Sequence, residues 1–212
     1  MDSWGLHMKQ YLVAATAALA IVGGATAPAA ADVVNGDSGD NVLRGTPGRD
    51  TMRGRAGDDT LLGAGGRDRM LGGTGRDRVD GGGRPDFANG SGGADQLNGR
   101  GGADTLHGGL GDDRLVGGPG SDELQDVTAT EFGSNFPDDQ DTLLAGAGND
   151  HIGVLDGRDR VFAGAGRDEV RMAEDNRRDV VRCGSGGDVV IYFGGRDRRD
   201  VLVGCEDVQV FR

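Results

Sequence analysis

One apolar position recurs along this chain every nine residues. It runs Leu43, Met52, Leu61, Met70, Val79, Ala88, Leu97, Leu106, Leu115 and Leu124 without a slip. A single inward residue with outward neighbours on either side is the alternation of a short strand. The period therefore predicts one short strand per nine residues, with a turn between consecutive strands.

The turns repeat in the same phase. Units begin at Gly36, Gly45, Gly54, Gly63, Gly72, Gly81, Gly90, Gly99, Gly108 and Gly117, and the fourth position is glycine in all of them except at Arg84. The sixth position reads Asn41, Asp50, Asp59, Asp68, Asp77, Asp86, Asp95, Asp104, Asp113 and Asp122. Residues 126–140 break the pattern. The phase then returns with Asp141, Asp150, Asp159 and Asp168, followed by Leu143, Ile152, Val161 and Val170. Asp122 and Asp141 are nineteen residues apart, one more than two units, which reads as a looped-out turn on a continuing roll. Phe132, Phe136 and Pro137 cluster in that stretch. They are expected to pack over the coil beneath, with an exposed aromatic binding loop as the alternative.

Composition narrows the picture. Glycine supplies 43 of 212 residues, against a usual share of roughly 7%, and aromatics only 4%. An ordinary globular core is excluded. Acids outnumber bases 35 to 23, for a net charge of −12. That balance argues against nucleic acid, which is met by a basic stripe. An acidic chain of this kind either stays extended by self-repulsion or recruits cations, and a disordered linker has no need of phase-locked leucines.

The unit at 108–116, Gly-Gly-Leu-Gly-Asp-Asp-Arg-Leu-Val, matches G-G-x-G-x-D-x-U-x at every defined position. Over residues 36–125 and 136–171 the chain resembles the RTX, or hemolysin-type, calcium-binding nonapeptide repeat proteins. The resemblance implies an all-β fold, a right-handed parallel β-roll (a β-solenoid) in which each nonapeptide is a half-coil. Its first six residues turn and its last three form the strand. Calcium would sit between turns stacked eighteen residues apart.

The residue chemistry points the same way. Calcium takes six to eight hard oxygens from carboxylates and carbonyls, and glycines allow backbone conformations that aim carbonyls at one spot. Pairing sixth positions one coil apart gives Asn41/Asp59, Asp59/Asp77, Asp77/Asp95 and Asp95/Asp113 on one edge. The other edge gives Asp50/Asp68, Asp68/Asp86, Asp86/Asp104 and Asp104/Asp122. The second array adds Asp141/Asp159 and Asp150/Asp168, so up to about ten calcium ions are expected. Loading all of them would reverse the net charge, so full occupancy at high affinity is not expected. The fifth position is arginine at Arg49, Arg67, Arg76, Arg158 and Arg167, where a cation could neutralise ligand carboxylates and weaken affinity. The unit starting at Gly81 is the least regular, with Arg84 and Pro85 in its turn and Ala88 in its core.

The two ends differ from the repeat. Residues 1–31 combine a weakly basic start, an apolar run from Tyr11 to Gly24 and small residues spaced A-x-A at Ala29 and Ala31. They read as a secretory signal peptide cleaved before Asp32, which makes the protein secreted, with no membrane span after cleavage. Residues 32–171 form the roll, with 126–140 as an irregular insertion. Residues 172–212 read as irregular coils and a terminal cap, which a stacked repeat needs in order to cover its open end. Cys183 and Cys205 are the only cysteines, and an even pair in a secreted chain reads as a disulfide.

No catalytic constellation stands out, and the reading is of a non-enzyme. Gly36-Asp37-Ser38-Gly39 resembles the surroundings of a nucleophilic serine, but it is the first nonapeptide. His107 and His151 occupy ordinary outward slots, no H-E-x-x-H occurs, and the many G-x-G-x-x-G matches are by-products of the repeat. The leading function is a secreted calcium-binding protein whose roll folds on binding calcium, serving as a structural or interaction module. Two alternatives stay open: a calcium-dependent module binding extracellular polysaccharide or the cell surface, and a polysaccharide-modifying enzyme on a roll scaffold.

Overall fold

In the computed structural model, which describes residues 31–126 and 139–211, the eighth position of each unit sits at the buried centre of a strand. The strands Val42–Arg44 and Thr60–Leu62 carry Leu43 and Leu61 inward between outward neighbours. Successive strands fall alternately on two sheets. One has ten strands, from Val33–Asn35 to Asp207–Phe211, and the other nine, from Val42–Arg44 to Val201–Val203. Every pairing is parallel and joins strands one coil apart, as in Met52↔Met70 and Leu61↔Val79. The fold is all-β and parallel, the β-roll that the resemblance implies.

The register makes the core. Leu43, Leu61, Val79, Leu97, Leu115, Leu143 and Val161 stack along the inner wall of one sheet. Met52, Met70, Ala88, Leu106, Leu124, Ile152 and Val170 stack along the other. All are buried. Two such columns, one residue wide each, are what hydrophobic burial offers the first ten units, at ~1.5–3 kcal/mol for each large aliphatic side chain.

Most strands are longer than three residues. Thr51–Ala56, Arg69–Thr74 and Gln96–Gly101 each span six, because positions one to three of the next unit keep pairing with the neighbouring coil. The sharp bend comes later, at the fourth position. Gly57 there has φ +103°, and a Cβ on it would lie 2.5 Å from the carbonyl carbon of Gly39 in the stacked turn. Turns one coil apart thus touch backbone to backbone, which favours glycine, although Arg84 takes φ +93° at the same position of its unit.

The roll runs through the irregular stretches without losing register. Leu115 pairs with Leu143, twenty-eight residues on instead of eighteen, so ten extra residues are accommodated in a single turn. Residues 127–138, with Phe132, Phe136 and Pro137, lie outside the described residues, as do residues 1–30 of the expected signal peptide. Further on the separation is twenty at Val161↔Val181 and twenty-one at Val181↔Leu202. The extra residues go into turns, and both sheets continue to the end of the described chain.

The core changes character after residue 140. Its first position, glycine in every unit of the first array, becomes Ala145, Val154, Ala163, Met172, Cys183 and Tyr192, all buried. Each half-coil here contributes two inward apolar residues instead of one. Cys183 is joined to Cys205, with sulfurs 2.01 Å and Cα atoms 5.1 Å apart, which ties the strand Val180–Ser185 to the link between the last two strands. Among the described residues no helix is long and apolar enough to cross a membrane.

Candidate metal centre

The sixth position ends each turn just before a strand, so stacking the coils stacks its side chains. Asp50, Asp59, Asp68, Asp77, Asp86, Asp95, Asp104, Asp113 and Asp122 are all buried, as are Asp141, Asp150, Asp159 and Asp168; Asn41, in the first coil, is half-buried. They form two ladders, one along each edge of the roll.

The ladders are built by one repeated hydrogen bond. The backbone N–H of each sixth residue donates to the Oδ1 of the sixth residue one coil further on. Asn41 donates to Asp59 at 2.8 Å, Asp59 to Asp77 at 2.8 Å, Asp77 to Asp95 at 2.7 Å and Asp95 to Asp113 at 2.7 Å. On the other edge Asp50 donates to Asp68, Asp68 to Asp86, Asp86 to Asp104 and Asp104 to Asp122, at 2.7–2.8 Å. Asp141 donates to Asp159 and Asp150 to Asp168. All ten pairs expected from the eighteen-residue spacing are therefore brought together.

The second oxygen of these carboxylates is left without a donor except at Asp50, whose Oδ2 accepts the Thr46 N–H at 2.6 Å. Oδ2 of Asp59, Asp68, Asp77, Asp86, Asp95, Asp104, Asp113, Asp122, Asp141, Asp150, Asp159 and Asp168 is buried and has no hydrogen-bond partner. Orphaned buried charge of this kind is costly unless something compensates it. Burial accordingly pushes these carboxyls upward: Asp95 to about 7, Asp141 to about 8, Asp113 to about 9 and Asp159 to about 10. Desolvation is the leading cause in each, opposed by the backbone N–H that each accepts.

The orphaned oxygens face carbonyls across a space with no side chain. A Cβ on Gly63 would lie 2.7 Å from Asp68 Oδ2 and closer still to the Gly81 carbonyl oxygen. On Gly81 it would lie 2.7 Å from Asp86 Oδ2 and 2.9 Å from the Gly99 carbonyl oxygen. A first-position glycine is needed because any larger residue would occupy the spot where carboxylate and carbonyl converge. Among the described residues no three His, Cys, Asp or Glu side chains alone could hold an ion. A cation here would be completed by backbone carbonyls, the donor set of calcium. The residues present fit that ion best in the first array, where the gaps supply hard oxygens, carboxylates with orphaned oxygens and a cradle left open by glycine.

The ladders extend beyond the expected pairs. Asp32 donates to Asp50, Asp113 to Asp141 and Asp122 to Asp150; Asp159 donates to Asp179, Asp168 to Asp188, Asp179 to Asp200 and Asp188 to Glu206. The eighteen-residue count misses most of these because the turns before Asp141, Asp179 and Asp200 are lengthened. A signal was present: Asp179-Val180-Val181, Asp188-Val189-Val190 and Asp200-Val201-Leu202 repeat the Asp-x-apolar triplet of the regular units. At the last of these rungs Tyr192 Oη donates to Asp200 Oδ2 at 3.0 Å, so a phenol supplies the donor that the orphaned rungs lack. The fifth-position arginines, Arg49, Arg67, Arg76, Arg158 and Arg167, are all exposed, whereas the carboxylates they flank are buried.

Against known protein families, the profile of the RTX calcium-binding nonapeptide repeat matches residues 35–70, 62–83, 71–106, 89–124 and 138–170. No curated protein matches the chain.

Proposed function

The chain belongs to the RTX calcium-binding nonapeptide repeat family, and from that premise we propose that it is a secreted protein whose roll folds as calcium binds between stacked turns. In this reading it serves as a structural or interaction module. The bound ions lie between Asn41/Asp59, Asp50/Asp68 and the later rungs through Asp150/Asp168. The observation that carries the reading is the row of buried Oδ2 atoms without donors, repeated on both edges. An empty ladder repels itself, and a core one residue wide per half-coil is set against about 1–2 kcal/mol of backbone entropy per residue. A ligand that prefers the folded state then supplies folding energy by mass action. Secretion is supported by the sequence of residues 1–31 and by the Cys183–Cys205 bond, which belongs to an oxidising compartment.

Calcium titration followed by circular dichroism tests this, with magnesium as control. Strand signal should be largely absent in chelator and rise with calcium toward the ~10⁻⁴–10⁻³ M range of extracellular modules. Magnesium should not replace it, because it sheds water reluctantly and demands a tighter octahedron. Strand signal already complete in chelator, and unmoved by millimolar calcium, refutes the reading.

A further inference from the structure

The turn at 154–159 departs from the repeat in a way that the ladder does not use. In the ten units from 36 to 125 the third and fourth positions carry no acid. Here Asp156 stands at the third position, and Asp139 stands at the fourth position of the turn stacked on it. Both are buried, Asp156 at 1% exposure and Asp139 at 4%. Neither oxygen of Asp156 has a hydrogen-bond partner, nor has Oδ1 of Asp139, whose Oδ2 accepts the Gly111 N–H at 3.3 Å. A ladder carboxylate leaves one oxygen orphaned; Asp156 leaves two.

Oxygens gather at this point of the turn. A Cβ on Gly157, next to Asp156, would lie 2.7 Å from the Asp139 carbonyl oxygen, 3.0 Å from Asp139 Oδ1 and 3.0 Å from Asp159 Oδ1. Gly157 has φ +84° and keeps the space open. Asp126, fully buried, accepts the Leu155 N–H through Oδ2 at 2.6 Å and adds its charge to Asp159. Asp175 acts on Asp156 from the following coil, and its own Oδ2 is buried without a partner. Arg177 is the cation that acts on Asp139, Asp156 and Asp175 together. One guanidinium is set against several carboxylates in a largely desolvated turn, so negative charge there is under-compensated.

We propose that Asp139 and Asp156, completed by backbone carbonyls, form a further divalent-cation site outside the nonapeptide ladder, of the hard-oxygen class that takes calcium. A divalent ion supplies the positive charge this turn lacks, and the open oxygens are what it coordinates. Asp139 stands four residues before Leu143, so the ion would fix the turn that leads into the register Leu115↔Leu143.

The test is calcium stoichiometry by equilibrium dialysis on the purified full chain at neutral pH, with strand signal read in parallel. Asp156→Asn keeps the volume and removes the charge. It should bind one calcium fewer per chain than wild type while the calcium-induced strand signal is retained. Asp139→Asn should lose the same single equivalent, and it decides the matter if Asp156→Asn does not fold. Unchanged stoichiometry in a folded Asp156→Asn or Asp139→Asn chain overturns the site. The ladder reading fails separately. A wild-type chain that is folded in chelator and binds a single calcium, lost in Asp156→Asn, refutes the ladder and retains this site.

Discussion

Replacing Asp95 by asparagine should change stability in opposite directions with and without calcium. Asp95 is 1% exposed; its Oδ1 accepts the Asp77 N–H at 2.7 Å and its own N–H donates to Asp113 at 2.7 Å. Its Oδ2 has no donor and faces the Gly108 carbonyl side of Gly90. Burial pushes its carboxyl from 3.8 to about 7. Above that pH the folded chain holds an ionised group that the unfolded chain ionises about three pH units earlier. At ~1.4 kcal/mol per pH unit this costs the calcium-free fold roughly 4 kcal/mol. Asparagine retains the acceptor, removes the charge and turns an N–H₂ toward the carbonyl. In chelator at about pH 8, Asp95→Asn should therefore gain roughly 2–4 kcal/mol. With calcium the sign turns, because Asp95 serves two candidate sites, with Asp77 and with Asp113. A site held at a hundredfold excess over its Kd contributes about 2.7 kcal/mol, so weakening two should remove several. Urea melts followed by circular dichroism in millimolar calcium measure the loss, and the residual strand signal of variant and wild type in chelator, compared by osmolyte-driven folding, measures the gain. A loss of stability in chelator, or the same sign in both buffers, would refute the assignment of Oδ2 as an uncompensated cation ligand.

Two other outcomes follow from the same carboxylates and from the disulfide. Folded-state values raised to about 6 at Asp77, Asp104 and Asp150 and about 9 at Asp113 mean that the folded chain binds more protons than the unfolded one above pH 3.8. Calcium-free stability should then be greatest in acid and fall as pH rises through these values, so strand signal in chelator should appear near pH 4 and fade toward pH 9. The bond Cys183–Cys205 closes a separation of 22 residues and is worth roughly 3 kcal/mol. Reduction should lower the thermal midpoint of the C-terminal coils while the calcium response of residues 36–125 persists, and thiol labelling of the unfolded, unreduced chain should find no free thiol.

Much of this architecture is legible because the repeat ties geometry to composition. Leu43 and its successors at nine-residue intervals encode one inward residue per half-coil, and Asp59 and its successors at eighteen encode which carboxylates share a gap. Both depend on unbroken phase. Where ten residues enter one turn before Asp141, the pairs Asp113/Asp141 and Asp122/Asp150 form at twenty-eight residues, and a count of eighteen passes over them. The strand register survives because parallel pairing constrains the strands and leaves turn length free. Asp156 and Asp139 escape a repeat-based reading for the opposite reason. They are acids at positions where the repeat has none, and only the stacked turns bring them near one point.

The first position of the unit shows how metal binding and hydrophobic burial compete for the same volume. In the first array it is glycine, and the space a Cβ would take is bordered by a carboxylate oxygen and a carbonyl oxygen, as at Gly63 and Gly81. In the second array the same position carries Ala145, Val154, Ala163, Met172, Cys183 and Tyr192, all buried. A side chain there gains transfer free energy of about 25 cal/mol per Å² of apolar area, and it occupies the cradle that glycine leaves open. The exchange is furthest advanced at Tyr192, whose ring enlarges the core and whose hydroxyl donates to Asp200, so that a phenol stands where the proposed cation would compensate the carboxylate elsewhere. Along one continuous roll the means of holding coils together thus passes from oxygen ligands around a gap to apolar side chains filling it. Gly117 and Ala145 stand on either side of that change.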